Sequence, residues 1–87
     1  MKTFDYTVKD ELGIHARPAG LLVKQIAGIK SNVTIAVKAK NKSADAKRLM
    51  AVMKMAVKQG DVVTVTIEGE DEDTAAPQIE QFFKENF

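Results

Sequence analysis

The sequence has no cysteine, one histidine and two prolines among its 87 residues. Without cysteine, disulfides and thiolate metal sites are excluded, and one His cannot build a His-cluster metal centre. No metal and no cofactor are therefore expected. No apolar run is long enough to span a bilayer. Met1 leads directly into a strand-like pattern rather than an apolar signal core, so a cytoplasmic protein that does not engage a membrane is expected. Repeats, linkers and low-complexity stretches are also missing, which leaves a single domain over residues 1–87 with one core and little room to spare. The hydrophobic fraction of 45% is that of a folded chain.

Charge is nearly balanced overall, at +1, but not along the chain. Residues 1–60 carry 12 Lys or Arg against 4 Asp or Glu, and residues 61–87 carry 1 against 8. Such segregation is either a solvated surface or a basic region near the one histidine that meets an acidic partner.

Hydrophobic periodicity predicts the elements. Phe4, Tyr6 and Val8 alternate with polar residues over Thr3–Val8, which predicts a half-buried strand. Lys9–Gly13 reads as a polar loop. Ala19, Leu22, Val23, Ile26 and Ala27 predict a helix from about Ala16 to Ala27, with Gly28 as its end signal. Val33, Ile35 and Val37 predict a second strand, and Lys38–Ser43 a hairpin turn around Asn41 into a short third strand. Asp45 is the expected cap of a second helix over Ala46–Lys58, ended by Gly60. Val63, Val65 and Ile67 predict the fourth strand. A last helix buries Ile79, Phe82 and Phe83, and an early start near Asp71 with a distorted first turn accommodates Pro77. The order β-α-β-β-α-β-α is α+β. A right-handed crossover with a late antiparallel strand inserted between its two strands gives a four-stranded antiparallel sheet, covered by three helices on one face.

The stretch Gly13-Ile14-His15-Ala16-Arg17-Pro18-Ala19 carries the chemistry. Pro18 lacks an N–H and has φ near the helical value, so it belongs in the first turn of a helix. His15 then stands where a helix begins, beside the unpartnered amides of Ala16 and Arg17 and the positive end of the helix dipole. Those amides and the Arg17 guanidinium suit an anion, phosphate above all. Neutral imidazole is a nucleophile, and its reference pKa near 6.5 leaves much of it neutral in a cell. The positive helix end and the nearby Arg17 both oppose protonation, so the neutral form is expected, and it can accept a phosphoryl group. A lone His at a helix start is also a common solvated or capping residue, and motifs this short arise by chance.

The segment Ile14-His15-Ala16-Arg17-Pro18-Ala19 resembles the active-site signature of HPr. This is the histidine-containing phosphocarrier family of the bacterial phosphoenolpyruvate-dependent sugar phosphotransferase system. The resemblance implies an open-faced β-sandwich and a transient phosphohistidine on the pros nitrogen of His15, with Arg17 stabilising the phosphoryl group. It also implies a carrier rather than an enzyme with turnover of its own. Enzyme I would be the donor and the A domain of a sugar-specific enzyme II the acceptor, with a monomer expected. Lys47-Arg48-Leu49-Met50-Ala51-Val52-Met53 resembles the family's second-helix region. Carried over by position, the partner surface comprises Ala16, Arg17, Gly20, Leu21, Lys24, Lys47, Arg48, Leu49, Met50 and Met53. Leu49, Met50 and Met53 cover more arc than one buried face needs, so one or two should be exposed. Many family members from low-GC Gram-positive bacteria carry a regulatory serine just before this helix. Arg48 stands there instead, and neither Ser31 nor Ser43 has that context.

Other readings stay open from sequence. One is an HPr-like carrier in a regulatory, nitrogen-related branch. A second is a nucleic-acid-binding domain using Lys38, Lys40, Lys42, Lys47 and Arg48. It lacks aromatics placed for base stacking and leaves Gly13–Ala19 unexplained, so no nucleic-acid partner is expected. A third is a purely allosteric binding protein with an inert His15.

Overall fold

The computed structural model describes residues 1–87. Its elements are β1 (Lys2–Thr7), α1 (Ala16–Ile26), β2 (Asn32–Val37), β3 (Lys42–Asp45), α2 (Leu49–Lys54), β4 (Val62–Glu68) and α3 (Glu72–Asn86), with one 3-10 turn at Lys38–Lys40 before β3. The four strands form one antiparallel sheet in the order β1-β4-β2-β3, so the late strand inserts between the first two as expected. Register follows the alternation. Phe4, Val65, Ile35 and Ala44 lie opposite one another across the sheet, and so do Tyr6, Val63, Val37 and Lys42. Val33, Ile35, Val37, Val63, Val65 and Ile67 are all buried, because each points to the face the helices cover.

Leu22 and Ile26 of α1, Val52 of α2, and Ile79 and Phe83 of α3 complete the core. Phe83 meets Phe4 and Tyr6 edge to face at 5.8 and 5.9 Å between ring centroids, which fastens α3 to the sheet edge. The other sheet face is polar; there Asp5 accepts a hydrogen bond from the Thr64 hydroxyl at 2.7 Å.

The second helix differs most from expectation. It spans Leu49–Lys54, not Ala46–Lys58, and Arg48 is its N-cap residue. Asp45 ends β3 instead, and its carboxylate accepts the Lys47 amide at 2.9 Å. The early exit has a packing reason. Met55 and Val57 are both buried, and Ala56 between them takes a left-handed φ of 51°. A continued helix would place 55 and 57 on different sides, whereas the left-handed turn at Ala56 lets both face inward. Lys40 secures this exit, with its ammonium 2.9 Å from the Ala56 carbonyl and 3.0 Å from Asp61. Gly60 has φ 90° but belongs to the turn into β4, and Gly28 follows α1 without a left-handed φ. Asn41 does take that conformation, at φ 52°.

The last helix starts early, at Glu72, and runs on through Pro77. Its first turn is tight: the Thr74 amide reaches the Asp71 carbonyl at 3.1 Å, three residues back. Pro77 is exposed, so the hydrogen bond it cannot donate is lost on the solvent side.

Asp71 joins this turn to the α1–β2 loop. Its carboxylate accepts the amides of Lys30 and Ser31, each at 2.9 Å, and the buried Ser31 hydroxyl. The Ser31 hydroxyl, then the Lys30 amide, holds the Asp71 carboxyl below its usual range. A lowered folded-state pKa adds stability that is present above about pH 4 and lost as pH falls through the lowered value. Asp71→Asn should therefore melt at a lower temperature than wild type at pH 7, with the gap closing below about pH 4. Thermal unfolding followed by circular dichroism across pH checks this; an equal gap at both extremes would show that charge is not the reason.

Candidate functional site

His15 is the N-cap residue of α1, with extended backbone (φ −113°, ψ 168°), and its carbonyl accepts the Ala19 amide at 3.0 Å. The Ala16 and Arg17 amides precede the first intrahelical bond, and Pro18 has no N–H, so two donors face outward beside the ring. The first turn carries no acidic side chain to compete for them. Arg17 is exposed and pairs with no carboxylate. Free helix-end amides with an unpaired guanidinium on the same turn are the groups from which anion sites are built.

The placement of His15 is set by the two residues before it. Gly13 has φ 68° and is buried, and a Cβ built on it would lie 2.1 Å from the Val57 carbonyl oxygen. Ile14 is also buried and donates its amide to that same oxygen at 3.1 Å. The chain therefore pins the loop against the α2 exit immediately before His15 turns outward, half exposed.

A shallow depression of about 320 Å³ opens beside the ring, lined by Asp10, His15, Arg17, Pro18, Leu21, Glu85 and Asn86. The Asp10 carboxylate lies 3.4 Å from His15 Nε2. The Leu12 amide is the main reason its carboxyl is held below the usual range, with His15 adding less and desolvation opposing. Phe87 is buried, and its carbonyl accepts the Lys9 and Asp10 amides at 2.6 and 2.8 Å. The far end of the chain thus braces the loop in front of His15.

The other expected residues divide by exposure. Leu21 and Met50 are 52% and 70% exposed, whereas Leu49 and Met53 are half-buried against the core. Ala16, Lys24 and Arg48 are exposed and Gly20 half-exposed. Lys24 and Arg48, like Arg17, have no acidic residue within ion-pair distance. Lys47 is committed elsewhere: its ammonium donates to the Ile29 carbonyl at 2.7 Å and ties α2 to the end of α1.

A family model described as the PTS HPr component phosphorylation site matches residues 2–85. The chain belongs to the HPr family. The phosphocarrier protein HPr of Lysinibacillus sphaericus is 48% identical over 75 residues, 86% of this chain and 83% of that one. The solved histidine-containing phosphocarrier protein of a Mycoplasma superposes with a TM-score of 0.88 at 37% identity, covering 93% of this chain and 90% of that chain. The catabolite repression protein Crh of Bacillus subtilis, described as a domain-swapped dimer, gives 0.75 at 32% identity over 92% and 90%. This places the chain among the phosphocarriers of the phosphotransferase system, with the expected open-faced sandwich.

Within that family frame, three residues at the site were missed from sequence. Leu12 is 71% exposed on the loop before His15. Its signal was available, since an exposed leucine in a polar loop beside a helix start invites a partner. Asp10 had a weaker signal, the Asp-x-Leu spacing of a turn in which the side chain accepts the amide two residues on, at 2.8 Å here. Glu85 had none, because only the packing of α3 brings it to the depression.

Gly13→Ala should displace this loop. The added Cβ strikes backbone rather than a yielding side chain, and the positive φ adds strain. We expect a loss of more than about 1 kcal/mol and chemical-shift changes concentrated at His15 to Arg17. Wild-type stability with an unmoved His15 would show that the Val57 contact does not set the site.

Proposed function

We propose that this chain carries a phosphoryl group on His15, accepted from phosphorylated enzyme I and handed to the A domain of a sugar-specific enzyme II during sugar uptake. The supporting observation is the position of His15 at the N-cap of α1. There the Ala16 and Arg17 amides and the unpaired Arg17 guanidinium converge beside a half-exposed imidazole. Phosphoryl transfer needs position and charge stabilisation more than protein covalent chemistry, and this arrangement supplies both. The protein is a relay, regenerated by the acceptor, with no metal or cofactor in the transfer. It acts in the cytoplasm as a monomer.

The docking surface in this reading is formed by Ala16, Arg17, Gly20, Leu21 and Lys24 of α1 with Arg48, Leu49, Met50 and Met53 around α2, joined by Leu12. Exposed Leu21 and Met50 form its apolar centre, and the unpaired cations Arg17, Lys24 and Arg48 form its rim. A small apolar contact with a charged edge suits rapid, moderately weak exchange between two partners. Lys47 contributes by tying α2 to α1 rather than as a free charge. Control by a serine kinase is not part of this function. The N-cap of α2 is Arg48, Ser31 is buried against Asp71, and Ser43 lies on β3.

With phosphoenolpyruvate and enzyme I, His15→Ala should keep its fold and gain no acid-labile phosphate in intact mass measurement. Arg17→Ala should accept it roughly 10²-fold more slowly, as for loss of one preorganised donor. Normal labelling of the His15 variant would end the carrier reading.

Docking has its own test. Met50→Asp would bury an unpaired charge in the apolar contact and should weaken enzyme I binding by about tenfold or more. Raising salt should weaken the wild-type complex as well, because the rim cations are exposed and screened. Calorimetric titration measures both; unchanged affinity in Met50→Asp would put the interface elsewhere.

A further inference from the structure

Asp10 is the charged side chain in direct contact with His15, and the backbone holds it there from three sides. Its N–H donates to the Phe87 carbonyl at 2.8 Å, and its own carbonyl accepts the Gly13 amide at 2.9 Å. One carboxylate oxygen, Oδ1, accepts the Leu12 amide at 2.8 Å. The other, Oδ2, is left facing His15 Nε2 at 3.4 Å. The carboxyl is held below its usual range, so at neutral pH it is ionised and acts only as an acceptor. Arg17 and Glu85 are the other charged groups lining the depression, and Glu85 is not within ion-pair distance of the ring.

We infer that Asp10 is a positioning residue for phosphoryl transfer: its carboxylate takes the Nε2–H of neutral His15, fixes the tautomer, and leaves the Nδ1 lone pair as the nucleophile. A neutral imidazole holds one proton, and the nitrogen that donates to an anion is the one that carries it. The same physics lets a buried aspartate orient the histidine of a hydrolase triad. Contacts of this kind are often long in the free protein and shorten when the reacting group arrives.

The consequence for transfer rests on the carrier reading. The Nδ1 lone pair forms the new N–P bond, and the bond from phosphorus to the donor's leaving atom breaks, its electron pair departing with the donor. His15 loses no proton in this step, because its proton is already on Nε2. The ring gains positive character as Nδ1 is phosphorylated, and the Asp10 carboxylate compensates it at the other nitrogen. Retaining that proton keeps the imidazole a good leaving group for the next transfer. Asp10 thus serves both acceptance and donation without touching the phosphoryl group.

The test reads the ring directly. Imidazole 15N chemical shifts of unphosphorylated protein, at a pH where His15 is neutral, report which nitrogen carries the proton. Wild type should be predominantly Nε2–H. In Asp10→Asn the amide oxygen can still accept the Leu12 N–H, while its NH2 group turns to His15 and donates to Nε2. That substitution should move the population toward Nδ1–H and slow phosphoryl acceptance by about 10–100-fold, the usual cost of losing an orienting partner. Asp10→Glu should restore part of the Nε2–H population and of the rate. A predominantly Nδ1–H wild type, or an Asp10→Asn ring with the wild-type tautomer, would overturn the inference. Because the tautomer is read without phosphate, failure of the carrier reading is a separate result: an Nε2–H wild type that accepts no phosphoryl group would leave the hold of Asp10 on the ring intact.

Discussion

The contact on which the site depends is the Val57 carbonyl oxygen meeting Gly13 and Ile14. That oxygen accepts the Ile14 amide at 3.1 Å and leaves no room for a side chain on Gly13. It belongs to the non-helical segment that follows α2, so α2 must stop early for the contact to exist. The short second helix, the left-handed Ala56 and the buried pair Met55 and Val57 all serve the same end. They present one backbone acceptor to the loop from which His15 emerges. Phe87 braces the other end of that loop through Lys9 and Asp10. His15 is thus carried on a short exposed span fixed on both sides by buried residues, which is how a mobile-looking surface residue keeps a defined orientation.

Most of the sheet could be read from sequence, because alternation at Phe4–Tyr6–Val8 and Val63–Val65–Ile67 has no other economical explanation. The first helix was legible as well: Pro18 locates its start and the apolar spacing its buried side. The second helix was not. Met53, Ala56 and Val57 satisfy a helical pattern as well as an extended one, and only the three-dimensional demand for two inward side chains across Ala56 decides between them. Asp45 was assigned a cap because its residue type suits one, yet it performs the same kind of amide capture in a turn, at Lys47. The Asp10–His15 contact was illegible for a related reason. A polar loop gives no periodicity, and where its side chains point is settled by Phe87, more than 70 residues away in sequence.

Charge segregation along the chain turns out to have two local meanings. Arg17, Lys24 and Arg48 stand free of acidic neighbours. Lys40 and Lys47, from the same basic half, are spent on backbone carbonyls and hold α2 in place. The acidic half reaches the site through Glu85, while Asp10 comes from the basic half. Beside the helix end and Arg17 expected from sequence, the structure adds the Asp10 carboxylate next to His15. The imidazole stands at a helix N-terminus with a fixed carboxylate beside its Nε2, and Arg17 lines the same depression.

The central claim is that the start of α1 receives the phosphoryl group once it is bound to His15. Amide proton and 15N shifts of wild-type protein, recorded before and after phosphorylation by enzyme I, test it most directly. The largest changes should fall on the Ala16 and Arg17 amides, in the direction of stronger hydrogen bonding, while the β-sheet and α3 stay close to their starting positions. Unmoved Ala16 and Arg17 amides in a protein phosphorylated on His15 would contradict the account.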